Sequence, residues 1–431
     1  MSKKAVLTYK IPMYPLGSKE EKRTFYKTGN QLIYNAIKIM NEAITMHYIF
    51  VKERMNYKNE TGQNLDVYRK YGVKTYTTVI NRTIKEKFKS MELPGDLYEQ
   101  LVRKAIDTFN TNSKEILKSN ASLPSFTKTQ PLPVRAKSLS LAEDYTIYLP
   151  MMSESLAKDY GFKGKRKQSF QMQLKLHKNA KVIIDRILNG TYKMLDSKFM
   201  RDHKGDWLLL LSYEQPVKKI QHDKNKIMGI DLGIINAVTM AITDTRKVHV
   251  IKGGEITKFR NNIEGRRKSI LNQLPVASKN RRGHGIKTLL KPIDKLSKKV
   301  ENFKSTTNHR YSKYIIDIAL KYGVGTIQME DLTNISRSDS FLKTWSFYDL
   351  QSKIKYKANM NGIDVKLIDP SYTSQRCYHC GNINQENRKK QAIFHCIVCG
   401  HKRNADYNAA ENITISNIED VIKKQLKVMK K

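Results

Sequence analysis

The sequence predicts an α+β chain of several domains. A small β-domain carrying a helical insertion comes first, followed by an α/β domain into which a four-cysteine zinc ribbon is inserted. Three observations predict this. The apolar pattern alternates near the N-terminus, shifts to helical spacing over residues 21–120 and returns to alternation before residue 220. From residue 226, short β-branched runs alternate with long helical stretches. All four cysteines fall between residues 377 and 399. A chain of 431 residues with 39% hydrophobic content has room for about two or three domains with cores of their own.

In order along the chain, residues 1–20 alternate like an edge strand ending in a turn. Residues 31–50 put Leu32, Ile33, Ala36, Ile37, Met40 and Ile44 on one helical stripe, and a loop around 61–64 ends that helix. Further helices are expected over 75–87 and through Leu97, Leu101, Ala105, Ile106 and Phe109. Pro124, Pro131 and Pro133 then stop the helical pattern. Residues 138–150 alternate, 169–176 read as a strand, 180–188 as a short helix, and 194–201 with 207–213 as a hairpin around His203 to Asp206. Strands before and after the helical module should pair with each other. Beyond residue 226, strands are expected at 227–230, 238–242, 248–251, 326–329 and 365–368. A basic helical stretch over 260–303, interrupted at Gly283-His284-Gly285, and helices at 311–321, 348–360 and 405–414 complete the pattern. The basic tail over 423–431 reads as solvated, and no internal repeat is present.

Lys and Arg number 79 against 40 Asp and Glu, a formal net charge of +39. A compact chain with that charge repels itself unless a polyanion neutralises it. The charge points to nucleic acid and away from small neutral metabolites. No apolar run of 18 residues exists, and the N-terminal MSKKAVLTYKIPMYPLG lacks the apolar stretch of a secretory signal. Neither membrane insertion nor secretion is therefore expected.

Cys377-Tyr-His-Cys380 and Cys396-Ile-Val-Cys399 stand 15 residues apart. This is the spacing of a tetrahedral Zn²⁺ ribbon, in which each pair presents two thiolates and the intervening residues bring the pairs face to face. Four thiolates close the coordination sphere, so such a zinc is structural. The alternatives are two disulfides or four separate thiols. His379, His395 and His401 read as surface imidazoles rather than a fifth ligand.

Three acidic residues sit where metals could be held. Asp231 ends a strand in Gly229-Ile-Asp-Leu-Gly233, whose glycines would let a phosphate approach the backbone. Glu330 ends a strand in Ile327-Gln-Met-Glu330. Asp406 begins a helix in Asn404-Ala-Asp-Tyr-Asn408, where the helix dipole favours an anion. Adjacent strands with the helix packed beside them would bring the three together. A pair of Mg²⁺ ions about 3.5–4 Å apart, as in-line phosphodiester hydrolysis requires, could then be held there. Singly, each acid also reads as a turn or cap residue. Asp223, Asp317 and Asp331 lack this placement and read as structural.

These residues carry a resemblance. Residues 226–233 (KIMGIDLG), 253–259, 304–314 (KSTTNHRYSKY), 325–335 (GTIQMEDLTNI) and 371–382, with the closing NADYNAAENI, resemble the split RuvC nuclease of type V CRISPR effectors and of transposon-encoded TnpB nucleases. They are closer still to the miniature subtype V-F effectors. The resemblance covers about the last 210 residues with specific motifs. The first half agrees in the size and order of its elements.

The resemblance implies a wedge β-barrel of residues 1–20 and 121–220 with an inserted helical recognition domain, 21–120. It implies an RNase H-like RuvC domain of residues 221–370 and 404–431 and a target-nucleic-acid-binding ribbon, 371–403. The implied function is RNA-guided cleavage of double-stranded DNA beside a short T-rich motif, in antiviral defence within a prokaryotic cytoplasm. Asp231, Glu330 and Asp406 would hold two Mg²⁺ ions, and Arg388 matches a family arginine that reaches the active site. The implied partners are a guide RNA, target DNA and a second copy of the chain in an asymmetric homodimer.

Nucleic-acid contacts should come from clustered basic residues: 163–167 (KGKRK), Arg266 and Arg267, Arg281 and Arg282, Arg310, and Arg403. Each also reads as a solvated charge. Tyr14, Tyr26, Tyr34, Tyr68 and Tyr76 could stack on bases but read mostly as half-buried helix residues. Phe341, Trp345 and Phe347 read as packing. The rival readings are a TnpB-type transposon nuclease, a catalytically silent guided DNA-binding protein and a guide-independent RuvC resolvase.

Overall fold

The computed structural model describes residues 4–161, 169–202, 204–217, 222–245, 247–279, 286–332 and 347–429. The chain divides into two units, Val6–Gln215 and a second formed mainly by Pro216–Lys431.

The first unit starts with strand β1 (Lys4–Pro15) and helix α1 (Lys19–Thr61). Ser18 caps α1 in a capping box, accepting from Glu21 N at 3.2 Å while Ser18 N donates to Glu21 Oε2 at 2.6 Å. Gly62 at φ 71° closes its C-terminus. Helices α2 (Val67–Tyr71), α3 (Tyr76–Lys87), α4 (Leu97–Thr111) and α5 (Ser113–Leu117) follow. Strands β2 (Leu132–Val134), β3 (Ser140–Leu141) and β4 (Thr146–Pro150), helix α6 (Glu154–Asp159), strand β5 (Ser169–Leu174) and helix α7 (Lys178–Leu188) come next. Strands β6 (Lys193–Met194), β7 (Ser197–Arg201) and β8 (Trp207–Pro216) complete the unit.

The sheet order is β2-β7-β8-β1-β5-β4-β3, with β6 on β8. Strands from either side of the helices do pair, as expected. β1 is nevertheless central, between β8 and β5, and not an edge. Side-chain alternation reports which face of a strand is buried; it carries no information about whether both hydrogen-bonding edges are used. Residues 138–150 form two short strands in place of one alternating run, turning at Tyr145 with φ 64°. Helices and sheet share one continuous apolar core. Phe25 of α1 packs edge-on against Phe170 and Trp207 of the sheet, with centroids 5.3 and 5.1 Å away.

The second unit contains a mixed sheet of β9 (Asp223–Asp231), β10 (Asn236–Ile242), β11 (Val248–Lys252), β12 (Val324–Glu330) and β13 (Asp364–Ile368), in the order β11-β10-β9-β12-β13. β9, β12 and β13 are parallel, whereas β10 runs antiparallel to both of its neighbours, β9 and β11. Long helices α8 (Gly254–Lys279) and α9 (Ile286–Lys321) join β11 to β12, and α10 (Phe347–Met360) precedes β13. The ribbon hairpin β14 (Ile393–His395) and β15 (Lys402–Asn404) leads into α11 (Ala405–Ile413) and α12 (Ile418–Met429). Among the described residues, no helix is long and apolar enough to cross a membrane.

Two expectations need correction here. The helices expected on either side of residues 304–310 are one, because α9 runs unbroken through Thr306, Thr307 and Asn308. Tertiary burial holds two of these weak helix formers: Thr307 is buried, and Asn308 is fully buried and donates to Asp349 Oδ2 at 2.8 Å. The tail is not a solvated string to residue 429. α12 buries Ile418 and Ile422 against Ile368, Ile383 and Ile413, and its lysines occupy the opposite face.

Candidate active site and zinc centre

β9 and β12 are neighbouring parallel strands in which Met329 pairs with Ile230. Glu330 therefore stands level with Asp231 at the same end of the sheet. Asp406 lies in the first turn of α11, which packs on β9 and β10. That packing depends on Gly229, where a Cβ would lie 2.3 Å from the Ala410 carbonyl oxygen. What approaches Gly229 is thus the protein's own helix rather than a phosphate. At Gly233 a Cβ would lie 2.8 Å from Asn236 O, so this glycine permits the tight turn between β9 and β10.

The surroundings of the carboxylates went unnoticed in the sequence. Asn236 Nδ2 donates to Asp406 Oδ2 at 2.8 Å, and Lys252 Nζ donates to Asn236 Oδ1 at 2.9 Å. Arg388 Nη2 lies 3.7 Å from Asp406 Oδ1. Thr373 Oγ1 donates to Glu330 Oε1 at 2.5 Å, and Gln351 Nε2 to the Glu330 carbonyl at 2.6 Å. Asn404 caps α11 through the backbone N–H groups of Asp406 and Tyr407. All three carboxylates are half-buried. Carboxylate oxygens are hard donors of the kind Mg²⁺ prefers.

The four cysteines converge as their spacing predicts. Their Sγ atoms lie within 4.8 Å of one another, with Cys377–Cys399 at 3.8 Å and Cys380–Cys396 at 3.6 Å. A tetrahedron with Zn–S bonds of about 2.3 Å has edges of roughly 3.8 Å, so the donor set fits zinc without rearrangement. Burial pushes the Cys377 thiol up. At Cys396 burial is outweighed by the backbone N–H groups of Cys399 and Val398, and its thiol falls below the usual range. Among the described residues this is the one group of three or more His, Cys, Asp or Glu gathered closely enough to hold a metal. The carboxylates stand on neighbouring elements without being drawn in so tightly. His379 and His395 are exposed, whereas His401 is half-buried and stacks on His379.

A buried polar network joins the ribbon to α11. Asn408 accepts from Tyr378 N at 3.0 Å and donates to Arg376 O at 2.8 Å. Asn412 donates to Arg376 O and Thr373 O and accepts from Arg376 Nη1 at 2.7 Å. Gln425 of α12 accepts from Arg376 Nε at 2.9 Å. The repeated asparagines of NADYNAAENI, spaced four apart among alanines, are the signal that could have found this network.

Arg266 and Arg267 are exposed on α8. Arg310 pairs with Glu255 and Arg403 with Glu411. Arg281, Arg282, the loop at Gly283–Gly285, the run at 163–167, His203, Phe341 and Trp345 lie outside the described residues; Phe347 is buried. Tyr76 is buried, but Tyr14, Tyr26, Tyr34 and Tyr68 are exposed rather than half-buried, Tyr68 the most at 65%. Apolar neighbours at helical spacing reveal a stripe, yet tyrosine is tolerated on either side of it. A cleft of about 530 Å³ in the first unit is lined by Asn30, Tyr34, Lys128, Arg201 and Lys204.

Two family models match the chain. Residues 347–413 match "Cas12f1-like, TNB domain" and residues 210–336 match "Probable transposase". The class these define is that of nucleic-acid enzymes shared between CRISPR systems and transposons. "CRISPR-associated endodeoxyribonuclease Cas12f1" of Sulfoacidibacillus thermotolerans is 44% identical over 347 residues, 79% of this chain and 81% of that protein. Its counterpart in Syntrophomonas palmitatica is 36% identical over 381 residues, 78% of this chain and 76% of that one. The chain belongs to the Cas12f1 family. In fold it matches the "Cryo-EM structure of the Cas12f1-sgRNA-target DNA complex" with a TM-score of 0.66 over 96% of this chain and 99% of that one, at 20% identity.

Proposed function

We propose that this chain is the RNA-guided DNA endonuclease of a CRISPR system, cutting double-stranded DNA beside a short T-rich motif at a single RuvC site. The observation that carries the chemistry is the level pairing of Asp231 and Glu330 at the ends of adjacent parallel strands, with Asp406 on the helix packed beside them. Asp231, Glu330 and Asp406 would hold divalent cations. Two Mg²⁺ ions bound there would supply an activated water and neutralise the leaving oxygen. The protein's own contribution is to fix Asp406 and Glu330, through Asn236 and Thr373, and to bring a guanidinium to the phosphate. Arg388 has that role; its 3.7 Å approach to Asp406 supports it.

Zinc on Cys377, Cys380, Cys396 and Cys399 holds the ribbon, residues 371–403, as the element that loads target strands. Residues 1–20 and 121–220 serve as the wedge β-domain, residues 21–120 as the recognition domain, and residues 221–370 with 404–431 as the nuclease domain. Guide RNA and heteroduplex contact the chain through exposed basic side chains such as Arg266 and Arg267. The cleft bearing Tyr34, Lys128, Arg201 and Lys204 supports a further contact, in which an exposed ring and three cations suit a sugar-phosphate backbone. Two copies share one guide, for which a mass near twice 50.0 kDa plus one RNA is the expected measurement.

Asp231→Ala should abolish cleavage and preserve RNA-guided DNA binding; loss of binding as well would contradict the role. The match of residues 210–336 to a transposase model favours one second reading, a transposon-encoded guided nuclease. Sequencing the RNA that co-purifies separates the two, since a CRISPR-repeat segment supports the first and a transposon end the second.

A further inference from the structure

Asn236 opens β10, is only 5% exposed, and bridges two charges with one amide. Its Nδ2 faces Asp406 Oδ2 at 2.8 Å and its Oδ1 faces Lys252 Nζ at 2.9 Å. Lys252 is its cross-strand partner on β11, so the register of the sheet itself brings the ammonium alongside. An ammonium can only donate, so the amide must turn its oxygen to Lys252 and its NH₂ to Asp406. The turn leading into Asn236 is pinned as well. Gly253 N donates to Ile235 O at 2.8 Å, and a Cβ on Gly253 would lie 1.8 Å from Ile234 O. The other oxygen of Asp406, Oδ1, is the one Arg388 faces at 3.7 Å.

We propose that Asn236 is a positioning residue of the nuclease site, one that holds Asp406 by a single oxygen and leaves the other for a divalent cation, and that Lys252 fixes the orientation of its amide. The choice of an amide follows from electrostatics. A lysine bonded directly to Asp406 would compete with the cation, and a second carboxylate would repel Asp406. An amide passes on the positional constraint and keeps the charge of Lys252 one residue away. Ligand carboxylates are commonly fixed by such outer hydrogen bonds, whose loss typically costs about 10–100-fold in metal affinity or activity.

The inference rests on the reading of Asp406 as a metal-holding carboxylate. The test is Mn²⁺ binding to the full-length, zinc-loaded chain freed of RNA, followed by electron paramagnetic resonance, with cleavage by the guided complex measured across a Mg²⁺ series. Asn236→Ala should weaken Mn²⁺ binding about 10–100-fold. Its cleavage should fall at limiting Mg²⁺ and recover at high Mg²⁺, with the melting temperature unchanged. Asn236→Asp should weaken binding further, and Lys252→Met, at an exposed strand end, less but in the same direction. Wild-type Mn²⁺ affinity in Asn236→Ala overturns the proposal, as does a lower melting temperature with unchanged affinity. Should Asn236→Ala fail to fold, wild-type affinity in Lys252→Met overturns it. Asp406→Asn separates the two readings. If it binds Mn²⁺ and cleaves normally, the assignment of Asp406 fails; if it loses both while Asn236→Ala loses neither, only the positioning role fails.

Discussion

The thiol site and the carboxylate site are both candidate sets of metal ligands, and they are assembled in opposite ways. The thiols come from one short stretch of chain, residues 377–399, and lie within 4.8 Å of one another, a spacing that suits a closed tetrahedral site. The carboxylates come from β9, β12 and α11 and remain half-buried, and two of them are steadied by a neutral donor, Asn236 on Asp406 and Thr373 on Glu330. A closed soft-ligand site binds its ion as part of folding. An open hard-ligand site must hold its ligands in place while leaving oxygens for an ion that also touches substrate. The sites are not independent, because Thr373 and Arg388, which touch the carboxylates, belong to the ribbon that the thiols hold together.

The strongest break of this comparison is removal of zinc. Structural zinc contributes on the order of 10–16 kcal/mol in small ribbons and fingers. Cys396→Ser should therefore lose bound zinc by atomic absorption and expose residues 371–403 to limited proteolysis. Cleavage should disappear with it, and a variant that cuts normally would show that the ribbon does not support the carboxylates. Asp231→Ala tests the other site alone. Loss of several kcal/mol of charge stabilisation should slow cleavage by about three orders of magnitude or more, with no change in melting temperature.

Between the sites, Arg376→Met should cost ~2–4 kcal/mol by leaving Asn412 Oδ1 and Gln425 Oε1 without their buried donor. Thermal unfolding with and without chelator would report it. Gly229→Ala should cost ~1–3 kcal/mol, since the atoms it meets are backbone atoms of α11 that cannot turn aside. Its cleavage should fall more than its stability, because Asp406 rides on that helix. The smallest effect is the control: Lys85→Ala removes an exposed pair with Glu99 and should change stability by no more than about 0.5 kcal/mol.

The contrast between the sites also explains what could be read from the sequence. Four cysteines in two short pairs announce their geometry, because the ligands are neighbours in the chain. Asp231, Glu330 and Asp406 were visible only as residues at the ends of elements, and their convergence required the strand order. Asn236 and Thr373 were missed because an asparagine opening a strand and a threonine after one have no local signature; their partners lie 170 and 43 residues away. β1 was misjudged as an edge for a related reason, since its second neighbour, β8, comes nearly two hundred residues later. The helix over residues 418–429 was legible in the spacing of Ile418, Val421, Ile422 and Leu426, but lysines on its outer face masked it.

The shared core of the first unit has a consequence for engineering. Phe25 meets Phe170 and Trp207 across the junction of helices and sheet, so deleting the helices would strip the sheet of its cover rather than release a spare module. A small effector has no such part to discard. Cargo would be better grafted at the turn around Gly62, ahead of α2, where the side chains at 61–64 are exposed and a Cβ on Gly62 would meet nothing within 4 Å.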